Sequence, residues 1–372
     1  MADSRQQRTT GTGPRSRISR AALTAALTAV VTAGGPTAAH AGTAPAAHQV
    51  DRVSVATDGT QANDRSERAV LSRNGAYTAF YSLALNLTQD PPPHPPGTVY
   101  LRDNATGEVE RIHGALSDPS VSDDGRYVTH QAFGPRLPNV KLLDRETGRT
   151  KLITDSPFKA ASGDSSLSAD GRYVAFTQHG SHPSIPDRVE VYDRVTDTYE
   201  VIAESPGPDA GPDLNQPSLS ADGRYVAYRN ARTQAIWLAD RAKDTRTQID
   251  NGGSSRLVEL SGNGRVIAVN TVDGAYVRDI RTGVTTRFAG ARADALSPDG
   301  RHLLYRSGDA EPHCELRLRH LPSGKETVVQ RHARAVPGAV ADRGRIVFDS
   351  PDADVVPGDT NGTADVYLWK RR

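Results

Sequence analysis

An all-β fold built from repeated four-stranded antiparallel units is what this sequence predicts, on three observations. The string SADGRYVAF, Ser168 to Phe176, returns almost unchanged 52 residues later as SADGRYVAY, Ser220 to Tyr228. Looser copies centred on Gly75, Gly125, Gly264, Gly300 and Gly344 bring the total to seven, spaced 36 to 52 residues apart. The 33 Gly and 24 Pro among 372 residues supply the punctuation that many short strands require.

Each unit reads in the same order. A short first strand such as QPSLS runs into an Asp-Gly or Asn-Gly pair, and a two-residue hairpin that matches strand twist needs the positive φ those residues tolerate. The second strand, RYVAF in one copy, is apolar on both faces. Tyr173 and Ala175 point one way and Val174 and Phe176 the other, which suits a sheet covered on each side by a neighbour. A variable loop leads to a third strand ending near an acid (VYLRD, VKLLD, VEVYD, AIWLAD), and a tight turn to a fourth (EVERIH, RTKLIT, YEVIA, RTQID). Units of this size packed face to face close into a β-propeller, here of seven blades, with six or eight if a terminal unit is misassigned. The seventh unit supplies only GAVA, RIVFD and DVYLWK, while VDRVSVA at 50–56 has no partners of its own. That N-terminal strand is therefore predicted to be the outermost strand of the last blade. Seven copies also make the repeated string scaffold rather than a duplicated active site.

Residues 1–41 read differently. Arg5, Arg8, Arg15, Arg17 and Arg20 precede the uncharged run AALTAALTAVVTA, and Ala39-His40-Ala41 offers an A-x-A cleavage site, the pattern of a secretory signal peptide. A flexible leader at 42–49 and a propeller at 50–372 would follow, giving a secreted, extracytoplasmic protein. No later apolar run approaches the ~20 residues of a membrane span. The one cysteine, Cys314, lies far from the cleavage site, so neither a lipid anchor there nor an intrachain disulfide is expected. Loss of 1–41 removes five Arg and one Asp and leaves a net charge of about −3, which excludes the basic footprint of a nucleic-acid binder. Only six of the 45 basic residues are Lys, a skew typical of GC-rich bacterial genomes.

The S-x-D-G-R-Y-V-A-F brick, alternating with V-x-x-x-D strands over residues 50–372, resembles the TolB-like, WD-repeat-like propellers of bacterial extracytoplasmic proteins. The resemblance implies the propeller fold. On function it points several ways, since the family holds the partner-binding periplasmic component of the Tol system, the propeller halves of some peptidases and many other secreted proteins. The separate α/β domain that usually precedes the propeller in the Tol component has no counterpart in this sequence, which argues against that partnership.

With this strand order, the loops after the second and fourth strands emerge on one face, and the Asp-Gly and third-to-fourth turns on the other. The long segments 83–97, 131–139, 177–187, 204–216 and 351–365 all fall on the first face, the expected contact surface, since binding residues concentrate on loops held by a rigid scaffold. Among histidines, His130 takes the place of Phe176 and Tyr228 in the repeat and reads as structural and half-buried. His179 and His182 with Asp187 are a zinc candidate, although their spacing is that of a helix where no helix is expected. His313, Cys314 and His320 are too far apart along a strand to form a site. The loop carrying Asp359, Asn361 and Asp365 alternates oxygen side chains as a calcium loop does, but Gly362 is misplaced and no Glu closes it. The same residues suit an ordinary tight loop.

No G-x-S-x-G elbow is present, and no catalytic or cofactor-binding residue is nominated. The expected function is a non-catalytic binding or scaffold module for a protein or cell-envelope partner. The competing expectation is a carbohydrate-active hydrolase or lyase whose carboxylates converge from different blades at the central channel mouth. A strongly pKa-shifted carboxylate pair in that mouth would favour the enzyme.

Overall fold

Seven antiparallel sheets follow one another along the chain in the computed structural model, which describes residues 48–371 apart from 92–96, 134–137, 155–158, 181–184, 206–213, 251–252 and 308–313. The side chains of 118 and 159–163 also lie outside the described set, as do the expected signal peptide, His182, His313 and parts of the long loops. Six sheets are four-stranded and ordered 1-2-3-4, spanning residues 66–112, 115–152, 159–205, 214–248, 256–289 and 292–331, here blades 1 to 6. In blade 7, Asp365–Arg371 pairs with Ile346–Ser350 on one side and with the N-terminal strand His48–Arg52 on the other, and Val340 bridges to Ile346 on the inner side. The N-terminal strand is thus the outermost strand of blade 7, as expected. It begins at His48, and the chain leaves the sheet at Val53.

The two-sided strands do what their alternation predicts. Val174 and Phe176 join Tyr127, Val140 and Leu142 in the core between blades 2 and 3. Ala175, with Tyr173 beside it, joins Val189, Leu219 and Val226 between blades 3 and 4. Each blade interface has such a core, and the largest spans blades 6, 7 and 1.

The repeated string is a hydrogen-bonded turn wedged under its neighbour. Ser168 Oγ donates to Asp170 Oδ1 at 2.6 Å, and the Arg172 and Tyr173 amides donate back to Asp170 Oδ1 and Ser168 Oγ. Gly171 has φ +68°, and a Cβ there would stand 2.3 Å from the Tyr127 ring of the preceding blade. Glycine is thus required both by conformation and by contact. The turn arginines are clamps. Arg172 grips Asp193 at the end of the third strand at 3.0 and 2.7 Å, and Arg126–Asp144 and Arg224–Asp240 repeat the geometry. Hydrogen bonding by Arg172 holds the Asp193 carboxyl down at about 2. These two residues explain the R and the distant D of the motif.

Candidate functional site at the central channel

The first strands of the seven blades converge on an axial channel lined in sequence by Leu71, Val121, Leu167, Leu219, Leu260 and Val340. On the turn face it is closed by one side chain. The residue before the turn pair is Arg73 in blade 1, where blades 3, 4 and 5 have Ala169, Ala221 and Gly262. Arg73 reaches across the axis and donates to the Leu167 and Leu219 carbonyls at 3.3 and 3.0 Å. A Cβ on Gly262 would fall 2.7 Å from its guanidinium, so the small residues opposite are the space Arg73 fills. Burial lowers the pKa of Arg73, and Glu259 is the first of the acids that counter this.

Around the plug, the same position links neighbouring blades through the backbone. Asp123 N donates to Ala169 O, Ala169 N to Ala221 O, Ala221 N to Gly262 O, Asn263 N to Pro298 O and Asp342 N to Arg73 O, at 2.7 to 3.0 Å. The Asn74 side chain donates to Asp123 O and spans blades 1 and 2. Among these links the boundary between blades 6 and 7 is bare, because Pro298 has no N–H to give.

One turn of strand further in, Ser120, Ser166 and Ser218 accept the amides of Leu167, Leu219 and Leu260 in the next blade. In blade 5 the repeat places Glu259 where these serines stand. Its longer side chain accepts Leu296 N at 2.8 Å and also the Gly338 amide, so it reaches both blade 6 and blade 7. Burial pushes this carboxyl up to about 7.

The opposite end opens on the long-loop face into a cavity of about 310 Å³, where Arg68, Asp164 and Gln216 stand between Pro119, Pro217 and Pro337. Bulges in the first strands set these side chains there, because an extra residue turns what would be a blade-facing side chain toward the axis. Arg68 and Gln216 occupy the left-handed region at φ +57° and +55°, a strained conformation for non-glycine residues. Each is held by an acid of the preceding blade: Arg68 N donates to Asp349 Oδ1 at 3.2 Å and Gln216 N to Asp164 Oδ2 at 3.1 Å. Gln216 Oε1 is buried and has no hydrogen-bond partner among the described residues.

Two shifted carboxyls stand behind this mouth without lining it. Asp349 replaces the aromatic residue of the repeat in blade 7, and burial pushes it up to about 6. Asp294 is also raised by burial, although Arg306 clamps it at 2.8 and 2.9 Å. Sequence reasoning missed Arg73, Glu259, Arg68 and Gln216. The signal for the first two was a long charged side chain in a column of the repeat where several other blades carry Ala, Gly or Ser.

The sequence candidates are dispersed. His130 is fully buried rather than half-buried, with Nδ1 3.1 Å from the Gln131 carbonyl. His179 Nδ1 lies 3.4 Å from Asp187, whose other oxygen accepts Gly180 N. Cys314 is buried and free, and the His320 ring lies tilted against that of His302, with centroids 4.9 Å apart. In the 359–365 loop the oxygens receive donors from the N-terminal segment. Asp365 accepts Ser54 Oγ and Gln61 Nε2, each at 2.6 Å, and pairs with Arg52 at 3.2 Å. Asp359 accepts Gln61 Nε2, and Asn361 donates to Ala62 O. Among the described residues, no three His, Cys, Asp or Glu side chains are grouped so as to hold a metal ion.

No family model matches the chain, and no curated protein matches its sequence. Solved structures do match. An oligogalacturonate lyase in complex with manganese shares 16% identity at a TM-score of 0.61, over 87% of this chain and 93% of that one. A second oligogalacturonate lyase, from Vibrio parahaemolyticus, shares 14% at 0.60 over 86% and 93%. TolB from Acinetobacter baumannii shares 17% at 0.47 over 74% and 67%. What the chain shares with the two lyases is the fold alone, which in this chain is a seven-bladed β-propeller.

Proposed function

We propose that the protein is a secreted, non-catalytic binding propeller that engages a protein or cell-envelope partner through its long-loop face. The observation that carries this reading is the polarity of the channel. Arg73 closes the turn face, whereas the opposite mouth is open and presents Gln216 Oε1 as a buried acceptor with no donor among the described residues. A strained, preformed mouth on a rigid ring suits recognition, because little ordering remains to be done on binding. The test is affinity capture from the extracytoplasmic fraction with residues 42–372. Beside it runs a variant in which 181–186 and 206–213, the connections beyond the strands ending at Gly180 and Ser205, are cut to tight turns. A partner retained by the first and lost by a still-folded second supports the reading. Capture that ignores the loops would place binding elsewhere.

One observation favours the alternative of a hydrolase or lyase acting on carbohydrate, namely the raised carboxyls of Asp349 and Asp294 near the mouth. A proton-transfer role would require them to meet substrate, and both lie behind the lining, with Asp294 committed to Arg306. Turnover of any polysaccharide that is abolished by Asp349→Asn would establish the enzyme.

A further inference from the structure

Between blades 1 and 2, away from the axis, lies a cleft of about 520 Å³ whose wall includes a departure from the repeat. At the fourth position of the second strand, blades 1, 3, 4 and 6 carry Phe80, Phe176, Tyr228 and Tyr305, and these rings fill the outer part of a blade interface. Phe176, for example, packs edge-on against Tyr199 with ring centroids 6.4 Å apart. Blade 2 carries His130 there. This smaller, polar ring stands in the wall of the cleft.

The chemistry of the wall is specific. His130 is 1% exposed, and burial pushes its pKa down to about 4, so the ring is neutral at ordinary pH. Its Nδ1 faces the Gln131 carbonyl, which can only accept, so Nδ1 carries the hydrogen and Nε2 is left as a bare acceptor. No hydrogen bond among the described residues reaches Nε2. Around it stand two acids and two arginines already matched in charge: Arg145 with Glu110, and Arg111 beside Asp90 at 3.7 Å. Arg111 Nη2 also lies 3.3 Å from His113 Nδ1. The lining is therefore dense in donors and acceptors, without net charge, and of a size ordinary for small-molecule sites.

We propose that this interblade cleft binds a neutral saccharide. Hydroxyl groups both donate and accept, so adjacent hydroxyls on a sugar ring match alternating carboxylate and guanidinium groups and supply the donor that His130 Nε2 lacks. An ionic ligand would find each charge it needs already paired, and separating a pair leaves the other member uncompensated. The site is separate from the channel mouth and does not depend on the reading of that mouth.

The test uses the full propeller, residues 42–372, on an array of neutral hexose and N-acetylhexosamine oligosaccharides printed beside their uronate-containing and sulfated counterparts. Wild type is expected to be retained by neutral glycans. His130→Phe restores the residue found in blades 1 and 3, so it should melt at the same temperature or higher while affinity falls at least tenfold. His130→Gln, which keeps an acceptor, should retain part of the binding. Absence of binding to every neutral glycan, preference for the charged ones, or equal binding by His130→Phe would each overturn the proposal. Shortening 181–186 and 206–213 should leave this binding intact, so failure here and failure at the mouth are told apart.

Discussion

Removing residues 42–58 deletes the strand that closes the ring, and its cost can be worked from a few named groups. The backbone pairing of His48–Arg52 with Asp365–Arg371 is partly offset by the conformational freedom those residues regain. Two losses are not offset. Val53, 2% exposed, withdraws an apolar side chain worth about 2 kcal/mol. Asp365, fully buried, loses both Arg52 and Ser54, and a buried charge stripped of its partner costs roughly 3–5 kcal/mol. The sum, roughly 5–7 kcal/mol, is comparable to the whole stability of an ordinary domain, about 5–15 kcal/mol. For a propeller of roughly 320 residues the melting temperature moves by about 1.5 °C per kcal/mol, so any surviving fold should melt about 7–10 °C lower. It would also expose the edge Asp365–Arg371 and tend to aggregate. Thermal melts of chains starting at residue 42 and residue 59 decide the matter, and a synthetic peptide of residues 46–58 should restore the lost stability in trans. Equal melting temperatures would refute the closure argument outright.

Other expectations follow from the channel and the closing loop. Arg73→Met removes two charge-assisted hydrogen bonds and a counter-charge to Glu259, and urea unfolding should register a loss of about 3–5 kcal/mol; a loss below about 1 kcal/mol would mean the plug is incidental. Glu259 has a folded pKa raised to about 7, so the native state holds more protons than the unfolded chain between its ordinary value of 4.5 and about 7. The stability of wild type relative to Glu259→Gln should accordingly fall as pH rises through that window, by at most about 1.4 kcal/mol per pH unit, and level off above it. A pH-independent difference would show that the carboxyl titrates normally. With protein donors on Asp359 and Asp365, the melting temperature should be the same in calcium and in a chelator; stabilisation by calcium would mean that the ion displaces Gln61 and Ser54.

Local chemistry was legible in the sequence wherever it was repeated. The turn pair, the two-sided second strand and the missing outer strand each follow from φ preference, alternation or counting, and each stands in the structure. The closing strand lies at His48–Arg52 instead of running through 50–56, because Val53 and Ser54 turn inward to serve the core and Asp365, contacts 311 or more residues away in sequence. The clamp role of the turn arginines was hidden for the same reason: Arg172 meets Asp193 only once the register of the second and third strands is known. The channel residues were harder still. Arg73 makes sense only against Ala169, Ala221 and Gly262, and Gln216 only with the bulge that turns it inward, so both demand that seven strands be brought to one axis first.

The belt of backbone links on the turn face has a consequence for how the molecule breathes. A bracelet parts where it has no link, and here that place is the seam between blades 6 and 7, where Pro298 cannot donate. Glu259 partly spans the seam from the far side by holding Leu296 and Gly338 together. Transient opening should therefore begin at this seam and leave the other six boundaries shut. Amide exchange at residues 338–341 should then outpace that of Leu167 and Leu219, which occupy the same level of the channel, and Glu259→Gln should widen the gap.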